Sequence, residues 1–199
     1  MKQVWNGQVF KTASQIGFAF LFVALWSLQG VAQAPQSGEY YQIIAKHSGK
    51  ALDVKGGTDS KKNGAQLIQW DSHGGSNQLF KLKEKGNGYY MILAKHSGLA
   101  LDVRGGSGAK KNGAVLHQWA PHGGDNQLFR LVDKGNGYYM MVAKHSGKAI
   151  DVSGGTREKR NGIKVHQWDV HGQGNQLFRF VNVNSPSREL EASNLGREY

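Results

Sequence analysis

An all-β fold made of three equivalent units is what this 199-residue chain predicts, and three observations carry it. The stretch IQWDSHGGSNQLFKL, residues 68–82, returns as HQWAPHGGDNQLFRL from His117 and as HQWDVHGQGNQLFRF from His166, each copy 49 residues after the last. The tyrosine pairs Tyr40/Tyr41, Tyr89/Tyr90 and Tyr138/Tyr139 keep the same step, so the units tile residues 40–186 without insertion or deletion. Apolar and polar residues alternate within short runs, and no segment of residues 40–186 shows sustained helical apolar spacing.

The first unit justifies its elements in order. YYQIIA places Tyr41, Ile43 and Ala45 on one face and Gln42 on the other, as a half-buried strand does. KHSGK supplies a Ser-Gly turn. ALDV resumes with Leu52 and Val54 directed one way and Asp53 the other, so Asp53 is expected to point away from the core. KGGTDSKKNG is too rich in glycine and charge to be an element. AQLIQW is a third strand, with Leu67 and Gln69 inward and Ile68 and Trp70 on the outer face. HGGS turns the chain, and QLFKL sends Phe80 and Leu82 inward. Four short strands per unit make twelve. No unit can bury its apolar face alone, and closing three around an axis removes exposed sheet edges. The expected architecture is a threefold barrel with hairpins over one end, its repeats spanning residues 40–88, 89–137 and 138–183.

Outside that body the chain changes character. Lys2 and Lys11 precede the apolar run IGFAFLFVALWSL, and Gly30 and Ala32 suit cleavage before Gln33. The run of 13 residues is short against the roughly 20 a spanning helix needs, so residues 1–32 read as a cleaved export signal rather than an anchor. The expectation is a secreted protein, periplasmic or extracellular, with no membrane span after signal removal. Residues 33–39 read as a short linker, and residues 184–199, which have no counterpart in the repeats, as a polar and mobile tail. The formal net charge of +11 falls to +9 without Lys2 and Lys11. The absence of cysteine excludes disulfides and thiolate metal sites, so burial alone must stabilise the fold.

The repeated motifs resemble one known family. ALDV, NGAQLIQW and NQLF stand where the repeats of ricin B-type β-trefoil lectins carry an LDV strand, an NG before an aromatic-ended strand, and a closing Q-x-W. The likeness covers residues 40 to about 183 and recurs in every unit. It implies a β-trefoil and carbohydrate binding through the aspartate of LDV, the aromatic ending the third strand, and the asparagine before Q-x-W. Carried over, the sites are Asp53, Trp70, Asn77 and Gln78; Asp102, Trp119, Asn126 and Gln127; and Asp151, Trp168, Asn175 and Gln176. His117 and His166 are expected to line the second and third sites, where the first has Ile68. Three departures stand out. Phe80, Phe129 and Phe178 replace the tryptophan of Q-x-W, the family's frequent cysteines are missing, and the turn between aromatic and asparagine is short, which bears on pocket depth.

The chemistry suits a sugar. A pyranose has a rim of hydroxyls and a face bearing C–H groups. An ionised carboxylate accepts from two hydroxyls, an asparagine donates and accepts, and an indole offers a flat surface to the C–H face. Each residue also has a structural reading: Gln78 as a buried strut, Asp53 as a turn brace, Trp70 as core. His117 with His122 and His166 with His171 lie five apart, but the turn between them and the lack of cysteine argue against zinc, and neither metal nor cofactor is expected.

Glycoside hydrolysis wants two carboxylates in distinct environments, whereas each unit offers one recurrent carboxylate, and no G-x-S-x-G, H-E-x-x-H or phosphate loop occurs. A non-catalytic, multivalent lectin is expected, with glycans, polysaccharides or cell-surface glycoconjugates as partners. The competing reading is a basic trefoil that holds an anionic polysaccharide through Lys61/Lys62, Lys110/Lys111 and Lys159/Arg160. Nucleic acid is disfavoured because no aromatic residue interleaves with those lysines. A loop-mediated inhibitor ranks last, since it would not need identical repeats.

Overall fold

The computed structural model describes residues 34–184; residues 1–33, which hold the expected export signal, and all of the expected tail but Asn184 lie outside the described residues. Twelve strands appear, four per unit. The first unit holds β1 (Tyr40–Ala45), β2 (Ala51–Val54), β3 (Leu67–Trp70) and β4 (Leu79–Glu84). The second holds β5 (Tyr89–Ala94), β6 (Ala100–Val103), β7 (Leu116–Trp119) and β8 (Phe129–Asp133). The third holds β9 (Tyr138–Ala143), β10 (Ala149–Val152), β11 (Ile163–Trp168) and β12 (Phe178–Asn182). Residues 37–39, expected as part of a linker, are hydrogen-bonded to β4: Gly38 N–H donates to Leu82 O at 2.8 Å and Glu84 N–H to Ser37 Oγ at 3.0 Å.

Antiparallel pairing closes six of these strands into a barrel. β1 pairs with β4 and β12, β5 with β4 and β8, and β9 with β8 and β12. The remaining strands form the hairpins β2–β3, β6–β7 and β10–β11. These meet one another through the bridges Gln66 to His117 and Val115 to His166 and through the Lys164 to Ile68 pairing, which are the same contact three times over. The fold is a β-trefoil.

Period-2 alternation fills the interior. Ile43, Ile92 and Met141 from the first strand of each unit, and Phe80, Phe129 and Phe178 from the last, are fully buried. Truncating one of those phenylalanines to alanine costs about 3–5 kcal/mol, which explains how the domain does without disulfides. Gln69, Gln118 and Gln167, expected inward, are fully buried as well. Their amide nitrogens are satisfied by the neighbouring unit and their oxygens by a serine of their own: Gln118 Nε2 donates to Ser60 O at 2.6 Å and Lys62 O at 2.9 Å, while its Oε1 accepts from Ser97 Oγ at 2.8 Å. Each glycine- and charge-rich loop is thereby pinned to the next hairpin, where the tryptophans lie.

Candidate functional site

The outward direction expected for Asp53, Asp102 and Asp151 requires correction. The alternation does send them to the face opposite Leu52 and Val54, but that face is covered, and the aspartates are only 4%, 3% and 3% exposed. The turn that follows each tryptophan folds back over them. In the second unit Asn126 Nδ2 donates to Asp102 Oδ2 at 2.8 Å, Gln127 Nε2 donates to the same oxygen at 2.9 Å, and His122 Nε2 lies 3.3 Å from it. In the first, His73, Asn77 and Gln78 reach Asp53 Oδ2 at 3.2, 3.0 and 2.9 Å. In the third, His171, Asn175 and Gln176 reach Asp151 Oδ2 at 3.1, 2.9 and 3.0 Å. The short turn thus places a third donor on each carboxylate, which anchors it despite burial.

The other carboxylate oxygen distinguishes the units. His117 Nε2 donates to Asp102 Oδ1 and His166 Nε2 to Asp151 Oδ1, both at 3.0 Å. Each histidine ring also stacks on the following indole, His117 on Trp119 with centroids 5.3 Å apart and His166 on Trp168 at 5.2 Å. Ile68 can do neither, and among the described residues Asp53 Oδ1 has no hydrogen-bond partner. Ile68, expected on the outer face, is buried at 4% exposure beneath that turn.

Trp70, Trp119 and Trp168 are each 41% exposed, large for an indole in a well-packed domain. Their inner edges approach the NG turn of another unit. Gly64, at φ +88°, is adjacent to Trp119, since a Cβ there would lie 3.9 Å from its Cζ3. Gly113 and Gly162 stand likewise to Trp168 and Trp70. Around Trp119 opens a cleft of about 350 Å³ lined by Asp102, Arg104, Gly105, Gly106, His117, His122 and Asn126. Gln127 is fully buried behind the carboxylate and bonded also to Ala120 O at 3.0 Å; Gln78 and Gln176 are placed the same way, in the strut position. Asn77 and Asn175 are buried beside Asp53 and Asp151, as Asn126 is beside Asp102.

His73, His122 and His171 were not among the expected site residues. Their signal was present, because a histidine precedes a glycine at the same step in every unit, but a turn residue's target cannot be read along the chain. The loop glycines Gly105 and Gly106 join the cleft for the same reason. In the first and third units, Lys50 pairs with Asp71 and Lys148 with Asp169, and those lysine hydrogen bonds, with Asn161 and Asn112, hold both carboxyls below the usual range. The second unit has Leu99 and Ala120 instead.

Comparison with known proteins places this architecture. A family model described as ricin-type beta-trefoil lectin domain-like matches residues 24–119, 85–168 and 125–197. The chain belongs to that ricin-type β-trefoil lectin family. Among solved structures, the designed threefold symmetric protein ThreeFoil is 46% identical, with a TM-score of 0.68 over 72% of this chain and 99% of that one. The exo-beta-1,3-galactanase 1,3Gal43A from Clostridium thermocellum is 36% identical, also at 0.68, over 76% of this chain but only 32% of that enzyme. The Macrolepiota procera ricin B-like lectin, solved in complex with lactose, shares the fold at 18% identity and a TM-score of 0.64, over 75% of this chain and 99% of that one. A search of curated proteins found no match.

Proposed function

We propose that this protein is a secreted, non-catalytic lectin with three carbohydrate sites, and that galactose-configured glycans are its ligands. The observation that carries the reading is the threefold recurrence of one constellation, an anchored carboxylate beside a half-exposed indole. The aspartate's Oδ1, the oxygen that the turn leaves free, accepts from a sugar hydroxyl, the indole stacks on the C–H face, and Asn77, Asn126 or Asn175 braces the carboxylate through Oδ2. Galactose, whose axial 4-hydroxyl gathers its C–H groups on one face, suits such a surface. The 36% identity to a chain named a galactanase supports the same class, this domain matching only a third of it. Each unit offers one recurrent carboxylate, where hydrolysis wants two in distinct environments, which favours binding over hydrolysis. The loop Lys/Arg pairs support the anionic reading less than their recurrence suggests, because Arg160 is paired with Glu158 at 2.6 Å, a contact that draws the Glu158 carboxyl down to about 2.

The test is calorimetry of a β-galactoside on Trp70→Ala, Trp119→Ala and Trp168→Ala, singly and combined. Stoichiometry is expected to step down from three by one per substitution while the melting temperature changes little. Simple-sugar affinity is expected to persist as salt is raised, since exposed charge is screened and stacking is not. Undiminished stoichiometry in the triple variant would overturn the reading. Intact mass of the exported protein, expected to start at Gln33, checks secretion.

A further inference from the structure

The outer wall of the barrel carries a second threefold pattern, distinct from the aspartate clefts. Tyr40, Tyr89 and Tyr138 open β1, β5 and β9, and each ring lies between two cations. Lys81 and Lys95 Nζ are 5.4 and 5.2 Å from the centre of Tyr40. The Arg130 guanidinium and Lys144 Nζ are 4.8 and 5.3 Å from Tyr89, and the Arg179 guanidinium and Lys46 Nζ are each 4.8 Å from Tyr138. One cation comes from the strand paired with the tyrosine's own and the other from the residue after the first strand of the next unit, so each cluster straddles a seam between units. Basic and aromatic groups do interleave here, although no such pattern runs along the chain beside the loop lysines. Strand pairing makes it.

Two features make these seams more than packing. An aromatic face attracts a cation without cancelling its charge, so two positive groups are held close together and remain available. Among the described residues, Lys46, Lys81, Lys95 and Arg179 form no ion pair, and Glu39, next to Tyr40, pairs with none of them. The Tyr89 seam differs, because Asp125 Oδ1 sits 2.9 Å from Lys144 Nζ. Ser76 and Gly174 hold the equivalent positions elsewhere. Asp125 therefore shows which group the seam accepts, an oxyanion presented from the side of the carbohydrate site, for it immediately precedes Asn126. The border is the same at each seam, where the main-chain N–H of Lys46, Lys95 and Lys144 donates at 2.8 Å to the carbonyl of Leu177, Leu79 and Leu128, the residue after each Asn-Gln pair.

We propose that the Tyr40 and Tyr138 seams are secondary subsites for the anionic group, sulfate or carboxylate, of an acidic glycan whose neutral part occupies the adjacent aspartate cleft, and that Asp125 closes the Tyr89 seam to it. This rests on the glycan-binding reading above. Arg179, one of whose Nη atoms donates to Tyr138 Oη at 3.2 Å, keeps its other N–H groups for a forked contact with an oxyanion.

The experiment titrates the full exported protein, at fixed ionic strength, with a sulfated galactan oligosaccharide, its desulfated counterpart and oligogalacturonate. The wild type is expected to prefer an acidic ligand by about tenfold, the effect of one charge-assisted hydrogen bond. Lys81→Gln with Lys95→Gln, and Lys46→Gln with Arg179→Gln, are expected to remove that preference at their own seams and leave the desulfated ligand unaffected. Asp125→Ser is expected to add a third acidic-ligand site. The control, Lys61→Gln with Lys62→Gln, removes the same charge from a loop and is expected to keep the preference. Which acidic arm responds tells sulfate from carboxylate. Equal loss in the loop control, or a preference that survives all four seam substitutions, would overturn the proposal. So would stronger binding of single-stranded DNA than of either acidic glycan, abolished by the same variants. Loss of desulfated binding in the wild type itself would instead count against the lectin reading, so the two failures are separable.

Discussion

The carboxylates of the first and second units occupy equivalent places in a repeated fold, yet their hydrogen-bond partners differ by one side chain. At Asp102 both oxygens are engaged, Oδ2 by the turn and Oδ1 by His117, which also stacks under Trp119. At Asp53 the turn alone is present, and Ile68 leaves Oδ1 without a partner among the described residues. The Oδ2 network recurs in all three units and belongs to the fold. The Oδ1 contact varies and belongs to the site. In the second unit His117 links the indole to the carboxylate, whereas in the first no side chain does, so threefold repetition of a backbone does not make three equal surroundings.

Removing the carboxylates is expected to separate the two units most. Asp102→Ala strips an acceptor from His117, Asn126, Gln127 and His122, of which Asn126 and Gln127 keep a main-chain partner at Val103 O and Ala120 O. Leaving buried donors unpaired costs about 1–3 kcal/mol each, so we expect a loss of at least about 3 kcal/mol of stability along with the site. Asp53→Ala orphans one donor fewer and is expected to cost less. Urea denaturation of the two variants checks the order. An equal loss would mean that His117 contributes nothing through Asp102. The pointing of these side chains away from the apolar core suggests that folding would be indifferent to them; their burial under the turn reverses that expectation.

How much of this was legible follows from what each feature depends on. Strand number, barrel closure and the inward Phe80, Phe129 and Phe178 rest on period and alternation, both local, and the sequence displays them. The half-exposed tryptophans also follow from alternation. The cover over Asp53, Asp102 and Asp151 does not, because it depends on where the turn carrying His73, His122 or His171 folds back, a long-range event. The docking of Gln69, Gln118 and Gln167 onto a neighbouring unit's loop is equally non-local, although an inward glutamine already signals that a polar partner must exist.

Exchanging Ile68 and His117 tests the difference between the two units directly. His117→Ile would copy the first site into the second, and Ile68→His the reverse. A carboxylate oxygen has two lone pairs, so His117 on Oδ1 still leaves room for a sugar hydroxyl. What the histidine adds is pre-ordering of the indole, and immobilising a side chain costs about 0.5–1.5 kcal/mol, or roughly twofold to twelvefold in affinity. Ile68→His is expected to tighten the first site by that factor and His117→Ile to loosen the second. Indole resonances followed by NMR during a galactoside titration resolve the sites individually. Tighter binding by His117→Ile would show that a free Oδ1 matters more than a braced Trp119.

The smallest effect concerns the histidines that join units rather than line sites. His47 Nε2 donates to Glu158 O at 3.0 Å, tying the first unit to the third unit's loop, and His145 Nε2 donates to Ala109 O at 3.1 Å, tying the third to the second's. In both rings Nδ1 is buried without a partner, so a proton added there would have nothing to donate to. Burial accordingly holds both side chains below the ordinary value of 6.5. The folded state then takes up these protons less readily than the unfolded chain does. The stability linked to them is complete above the ordinary value and declines as pH falls below it through the lowered folded-state value. Thermal melts from about pH 8 to about pH 5 are expected to show a fall of a few degrees that His47→Gln with His145→Gln flattens, because the amide can donate to the same carbonyls and cannot titrate in that window. A double variant that falls as steeply as the wild type would place the pH sensitivity in other groups and leave these two contacts as simple tethers between units.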